Sequence, residues 1–164
     1  MRTLLSSLTL TTALLAACTG YSPGNLRSGA SLDEVRQRMG EPTARYPLAS
    51  GSTRLEFARG PFGKHTYMVD VDAGGRVQRI EQVLTEARFG VVAAGLPSEE
   101  LLRQLGTPSQ RRSGGWQGGE VWSYRYDATF CQWFQVSVVE GKVRDSAYAP
   151  DPMCDVNDRN DRST

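Results

Sequence analysis

Histidine and cysteine are scarce in this chain of 164 residues: one histidine, His65, and three cysteines, Cys18, Cys131 and Cys154. A lone histidine with no His or Cys partner nearby does not make a metal site, so His65 reads as a strand-edge residue. Charge of one sign is also lacking. The chain carries 19 basic and 18 acidic residues, and its leader holds only Arg2, so the remainder is balanced and has no electrostatic footprint for nucleic acid or a polyanionic surface. No nucleophile, base and orienting acid can be assembled, and no glycine-rich phosphate loop occurs. Catalysis, a cofactor, a metal and a small-molecule substrate are therefore not expected. Asp70 and Asp72 lie on a strand instead of a ligand loop and read as a solvated sheet face.

What is present begins with an address. Residues 1–17 join a basic Arg2 to an apolar run of Leu and Ala and end in small residues, a secretory signal too short to span a membrane. Leu15, Ala16, Ala17 and Cys18 resemble a bacterial lipobox, which implies that Cys18 becomes the acylated first residue of the mature protein. Thr19 follows, as in lipoproteins sorted to the outer membrane, so the expected location is the periplasmic face of that membrane, held by lipid, with residues 18–25 as tether. Cys131 and Cys154 are then an even remainder in an oxidising compartment, which favours one disulfide closing a 23-residue separation. On the chain-entropy model that closure contributes about 3 kcal/mol. Two inert buried thiols are the alternative. A catalytic thiol is disfavoured, because the neighbourhood of Cys131 is aromatic rather than cationic.

A short pattern occurs twice. Gly29, Gly40 and Pro42 recur as Gly95, Gly106 and Pro108, each 66 positions later, around a helical run. A fixed offset over three punctuating residues marks an internal duplication, here residues 26–85 and 86–149. In the first copy Ser31 and Glu34 form a capping box; Leu32, Val35 and Met39 make one apolar stripe; Gly40 and Pro42 stop the helix. In the second, Leu101 and Leu105 stand for Val35 and Met39, and Pro97 for Ser31.

Three strands are expected after the first helix, at 53–58, 65–72 and 76–84. In the middle one Tyr67, Val69 and Val71 share a buried face, and Met68, Asp70 and Asp72 a wet one. The second copy places strands at 120–126 and 130–139, with Phe134, Val136 and Val138 in the core. Trp133 then points to the opposite face. It is a candidate anchor for a protein partner, because aromatics are enriched at interaction hot spots, although packing on the disulfide or the other repeat is the simpler reading. Residues 150–164 are polar, with disorder expected beyond Cys154.

Lipobox, Leu26, Gly29, Ser31, Glu34, Val35, Gly40 and Pro42, with Phe57 where an aromatic is usual, resemble the SmpA/OmlA (BamE-like) lipoproteins of the machinery that assembles outer-membrane β-barrels. Gly95, Glu100, Leu101, Leu105, Gly106, Pro108, Trp122 and Tyr124 carry the likeness into the second copy. The resemblance implies an α+β fold of two tandem ααβββ units, each with helices packed on a small antiparallel sheet, and a tandem of this kind is also similar to the β-lactamase-inhibitor fold. It implies a non-catalytic, protein-binding scaffold that assists barrel assembly or stability. A tandem inhibitor-like module for a periplasmic enzyme and a structural envelope lipoprotein are the other readings.

Overall fold

Ser31 opens helix α1 (Leu32–Met39) in the computed structural model, which describes residues 22–114 and 118–154. Its hydroxyl accepts from the Glu34 amide at 3.2 Å and Glu34 accepts from the Ser31 amide at 2.6 Å, the reciprocal capping box. The bond from the Ser31 amide holds the Glu34 carboxyl below the usual range. Val35 and Met39 face inward, and Gly40, at φ 80°, closes the last turn.

Four antiparallel strands follow in chain order: β1 (Ala44–Pro47), β2 (Thr53–Ala58), β3 (Thr66–Val71) and β4 (Val77–Gln82). A four-residue turn of helix, α2 (Glu86–Phe89), leads to α3 (Ser98–Leu105). A second antiparallel sheet then forms from β5 (Gln110–Ser113), β6 (Glu120–Arg125), β7 (Gln132–Val139) and β8 (Lys142–Pro150), again in chain order. The class is α+β with two four-stranded sheets and few helices.

The ααβββ expectation is corrected in strand number for both units and in helix number for the first. Each sheet has four strands; the first follows α1 alone, and the second follows α2 and α3. The unexpected strands β1 and β5 are edges whose sequences, Ala-Arg-Tyr-Pro and Gln-Arg-Arg-Ser, lack the apolar alternation that would betray them.

The duplicated glycines have a shared physical reason. Gly29 donates to Val77 O at 2.7 Å and Val77 donates back to Ala30 O at 2.9 Å; Gly95 and Val143 repeat the exchange, with Leu96 O accepting at 2.8 Å. Both glycines sit at φ 87° and 85°, a left-handed turn that hangs each helix on the fourth strand of its own sheet. A register shift at Asp70/Val71 recurs at Ser137/Val138.

One core lies between α1 and the first sheet, built from Val35, Met39, Leu55, Phe57, Val69, Val71 and Val77. The larger core joins Leu101, Leu105, Trp122, Tyr124, Phe134, Val136 and Val138, and it also takes Met68 from the first unit. Met68 is only 2% exposed, so the face expected to be wet is covered. The cover is the C-terminal end of α3. A Cβ on Gly106 would lie 2.9 Å from Thr66 Cγ2 and 3.1 Å from Met68 Cε. Helix α3 thus serves two sheets, its own through Leu101 and Leu105 and the preceding one through its last turn.

Candidate functional site

Glu56, on β2, is completely buried where the two units meet. Its Oε1 accepts from the Thr107 amide at 3.1 Å and from Thr43 Oγ1 at 3.2 Å; its Oε2 accepts from the Tyr46 hydroxyl at 2.6 Å. Burial, then the bond to Glu56, pushes the Tyr46 phenol far up. Beside it Arg54 grips Asp70 through two bonds of 2.6 and 2.7 Å and donates to Arg103 O at 3.0 Å. A buried carboxylate that accepts on both oxygens is a fastener, not an available base. Tyr124 stands behind it, fully buried, its hydroxyl without a hydrogen-bond partner among the described residues and its phenol raised by desolvation.

The same face of the second sheet is arranged differently. Shifting Arg54, Glu56, Met68 and Asp70 by 67 positions gives Val121, Ser123, Gln135 and Ser137. Gln135 donates to Ser123 Oγ at 2.9 Å and Ser137 to Asp145 at 2.6 Å, so the polar groups are tied within the sheet. Val121, Gln135 and Ser137 are partly exposed, and Asp145 and Ala147 of β8 are open to solvent beside them. Tyr148, 46% exposed, projects to the other side, where Phe134 and Phe89 back it at ring separations of 5.5 and 6.4 Å. Strand β8 is the last of its sheet, with β7 as its paired strand.

A cleft of about 200 Å³ opens at the lower end of the second sheet, lined by Lys64, Arg125, Tyr126, Phe130, Cys131 and Asp151. Its floor is Arg125, which donates to Asp151 at 2.5 and 2.9 Å and to Pro61 O across the unit boundary. Burial opposes the charge on Asp151, but the bonds from Arg125 and the Met153 amide outweigh it and hold the carboxyl below the usual range. The Arg125 guanidinium also lies 5.1 Å from the ring of Trp133.

Among the residues expected from sequence, Cys18 lies outside the described residues. Cys131 and Cys154 form a disulfide with alpha carbons 6.2 Å apart, within the usual span. Trp133 is on the face opposite Phe134, as its phase requires, yet it is only 3% exposed. The reading of Trp133 as an accessible partner anchor is therefore corrected: Arg125, held down by Asp151, covers the ring. His65 is partly buried and tilts against Tyr67 at 6.3 Å. No group of three or more His, Cys, Asp or Glu among the described residues could hold a metal ion, and no helix among them is long and apolar enough to cross a membrane. Sequence reasoning missed the Glu56 junction. One signal pointed to it: Leu102 replaces Arg36 at the matching helix position, an apolar residue where a solvent-facing helix would keep a charge.

No family model and no curated protein matches the chain. Solved structures similar to it include a cysteine-rich secretory protein from Staphylococcus aureus, at 13% identity and TM-score 0.26, covering 77% of this chain and 44% of that one. Another is an extracellular SCP-domain protein from Bacillus anthracis, at 10% identity and TM-score 0.31, covering 92% of this chain and 50% of that one. The chain thus spans half or less of either, and likenesses this low carry no argument about function. The resemblance to SmpA/OmlA lipoproteins is corrected: neither a family model nor a curated protein supports it.

Proposed function

We propose that the protein is a lipid-anchored, non-catalytic protein-binding module on the periplasmic face of the outer membrane. The observation that carries the binding role is the inequality of the two sheets. The face that receives the end of α3 in the first unit has its counterpart at Val121, Gln135 and Ser137, partly exposed beside the open strand β8, with Ser123 buried among them. A rigid sheet face and edge of this kind accept an extended or helical segment of a partner, with backbone bonds supplying affinity and side chains supplying selection. The anchor rests on the sequence of residues 1–18.

The test is purification of the tagged, lipidated protein from its own membranes in mild detergent, beside Gln135→Arg and Ala147→Arg. A partner that binds this surface falls at least about tenfold in recovery with either variant, the scale of losing one interface hot spot. Unchanged recovery with both sinks the assignment of the surface. The partner's identity separates the narrower readings. Barrel-insertion components in near-equal amount speak for an assembly role, and a single periplasmic enzyme for an inhibitor-like one.

A further inference from the structure

Five large apolar side chains are conspicuously exposed among the described residues: Phe62, Val91, Phe130, Tyr148 and Met153. Three of them meet at one end of the molecule. Phe62, 70% exposed, lies 5.9 Å from the Arg125 guanidinium; Phe130, 75% exposed, lines the same cleft; Met153 follows Asp151, the residue that Arg125 clamps. None of the three dangles. The turn before Phe62 has Gly60 at φ 66°, and a Cβ on Gly63 would sit 2.3 Å from Arg59 Cβ, so this tight loop accepts nothing but glycine there. Phe130 and Met153 each precede a cysteine of the disulfide. The exposed cations Arg59 and Lys64 flank the group, and Asp127 faces Lys64 at 4.0 Å.

The place where the tether joins the fold is at this same end. Gly24 is within 3.5 Å, measured from a Cβ built on it, of the guanidinium of Arg38 in the last turn of α1. That end of the helix leads into Thr43, whose hydroxyl accepts from the Ala58 amide at 3.2 Å, one residue before the loop that carries Phe62. The start of α1 is at the opposite end, where Ser31 bridges Arg76. From Cys18 to Gly24 the chain can extend about 20 Å at most. A lipid on Cys18 would hold Gly24 within that distance of the leaflet, on the side of the fold where Phe62, Phe130 and Met153 emerge, with Lys64 beside them suited to anionic headgroups.

We infer that this end of the protein is a second membrane contact, in which Phe62, Phe130 and Met153 enter the headgroup region of the leaflet that holds the acyl chains. The inference rests on the lipid-anchor reading above. It fixes the orientation of the module: strand β8 ends at the bilayer with Pro150 and runs from there back toward Lys142 in the periplasm.

The test uses the full lipidated protein reconstituted into vesicles of phosphatidylcholine and phosphatidylglycerol with brominated acyl chains. Tryptophan is placed by Phe62→Trp, by Phe130→Trp, or by Ala73→Trp on the exposed hairpin at the far end, and the signal of the unsubstituted protein is subtracted. Bromine is expected to quench the tryptophans at 62 and 130 roughly twofold or more beyond that at 73, as for side chains seated in the interface. Equal quenching at all three positions overturns the contact. So does a photoreactive residue at 62 that yields protein adducts and no lipid adducts in intact cells. Incorporation of labelled palmitate at Cys18 checks the anchor separately. Label without excess quenching leaves the anchor standing and overturns the contact, whereas absence of label removes the anchor and the inference with it.

Discussion

The Thr107 amide, the first donor past Gly106, which caps α3, points at Oε1 of Glu56 in the preceding unit, 3.1 Å away. Glu56→Ala would leave that amide and the Tyr46 hydroxyl, both in part-buried bonds, without an acceptor. A loss of about 2 kcal/mol is expected in chemical unfolding, because an orphaned group costs about 1–3 kcal/mol when buried and less where water reaches it. Glu56→Gln keeps the shape and one acceptor oxygen, and it is expected to lose less than half as much. Equal losses would mean that charge, not hydrogen-bond closure, holds the junction.

Gly95 and Gly106 offer a paired experiment. Both have left-handed backbone, at φ 85° and 79°, but a Cβ at Gly95 meets open space while one at Gly106 meets Thr66, Glu56 and Met68 at 2.9 to 3.1 Å. Gly95→Ala should cost about 1–2 kcal/mol from backbone strain alone. Gly106→Ala should cost about 1–3 kcal/mol more, from overpacking. The difference between their unfolding midpoints measures how tightly α3 seats on the first sheet.

Tyr124→Phe is expected to be neutral or to stabilise by about 1 kcal/mol. The hydroxyl is buried and lacks a partner among the described residues, so its removal relieves an uncompensated desolvation. A clear loss of stability in thermal unfolding would reveal a polar contact to that oxygen.

The Arg125 and Asp151 pair sets an acid limit. Because the folded Asp151 carboxyl lies below its ordinary value of 3.8, its contribution is fully present above that pH and fades as pH falls through the lower, folded value. Glu34, Asp72 and Glu100 are shifted in the same direction and add to the same acid loss. Asp151→Asn should therefore be less stable than the parent by a constant margin from neutrality down to about pH 4, with the two converging below. A margin that changes between pH 5 and 8 would assign the effect to another group.

Much of the frame could be read before any coordinates. The repeated glycines and prolines were legible because each answers a backbone demand that few residues meet: Gly29 and Gly95 turn left-handed, and Gly40 and Gly106 end a helix. The capping box at Ser31 was legible because two residues suffice to specify it. Strands β1 and β5 were not, since a short edge strand leans on its neighbour and needs no apolar period of its own. The partition of the first sheet's other face is not legible either. Arg54, Glu56 and Asp70 look like a solvated surface in sequence, and only their pairing with a helix 50 or so residues later makes them interior. Trp133 lies on the face its phase requires, but what buries it is not legible in sequence, because the arginine that covers it is eight residues away and its partner, Asp151, lies in a segment that reads as tail.

The sharing of α3 between two sheets bears on the order in which the chain can become native. A nascent first unit emerges with Glu56 and Met68 facing water and cannot finish its packing until residues 101–107 arrive. Premature compaction at that stage would bury the Glu56 carboxyl with one of its three donors, the Thr107 amide, still missing. The protein should thus behave as a single cooperative unit in both directions, acquiring and losing its two halves together, and a chain that stops near residue 85 is expected to remain a substrate for chaperones and proteases rather than a smaller copy of the whole.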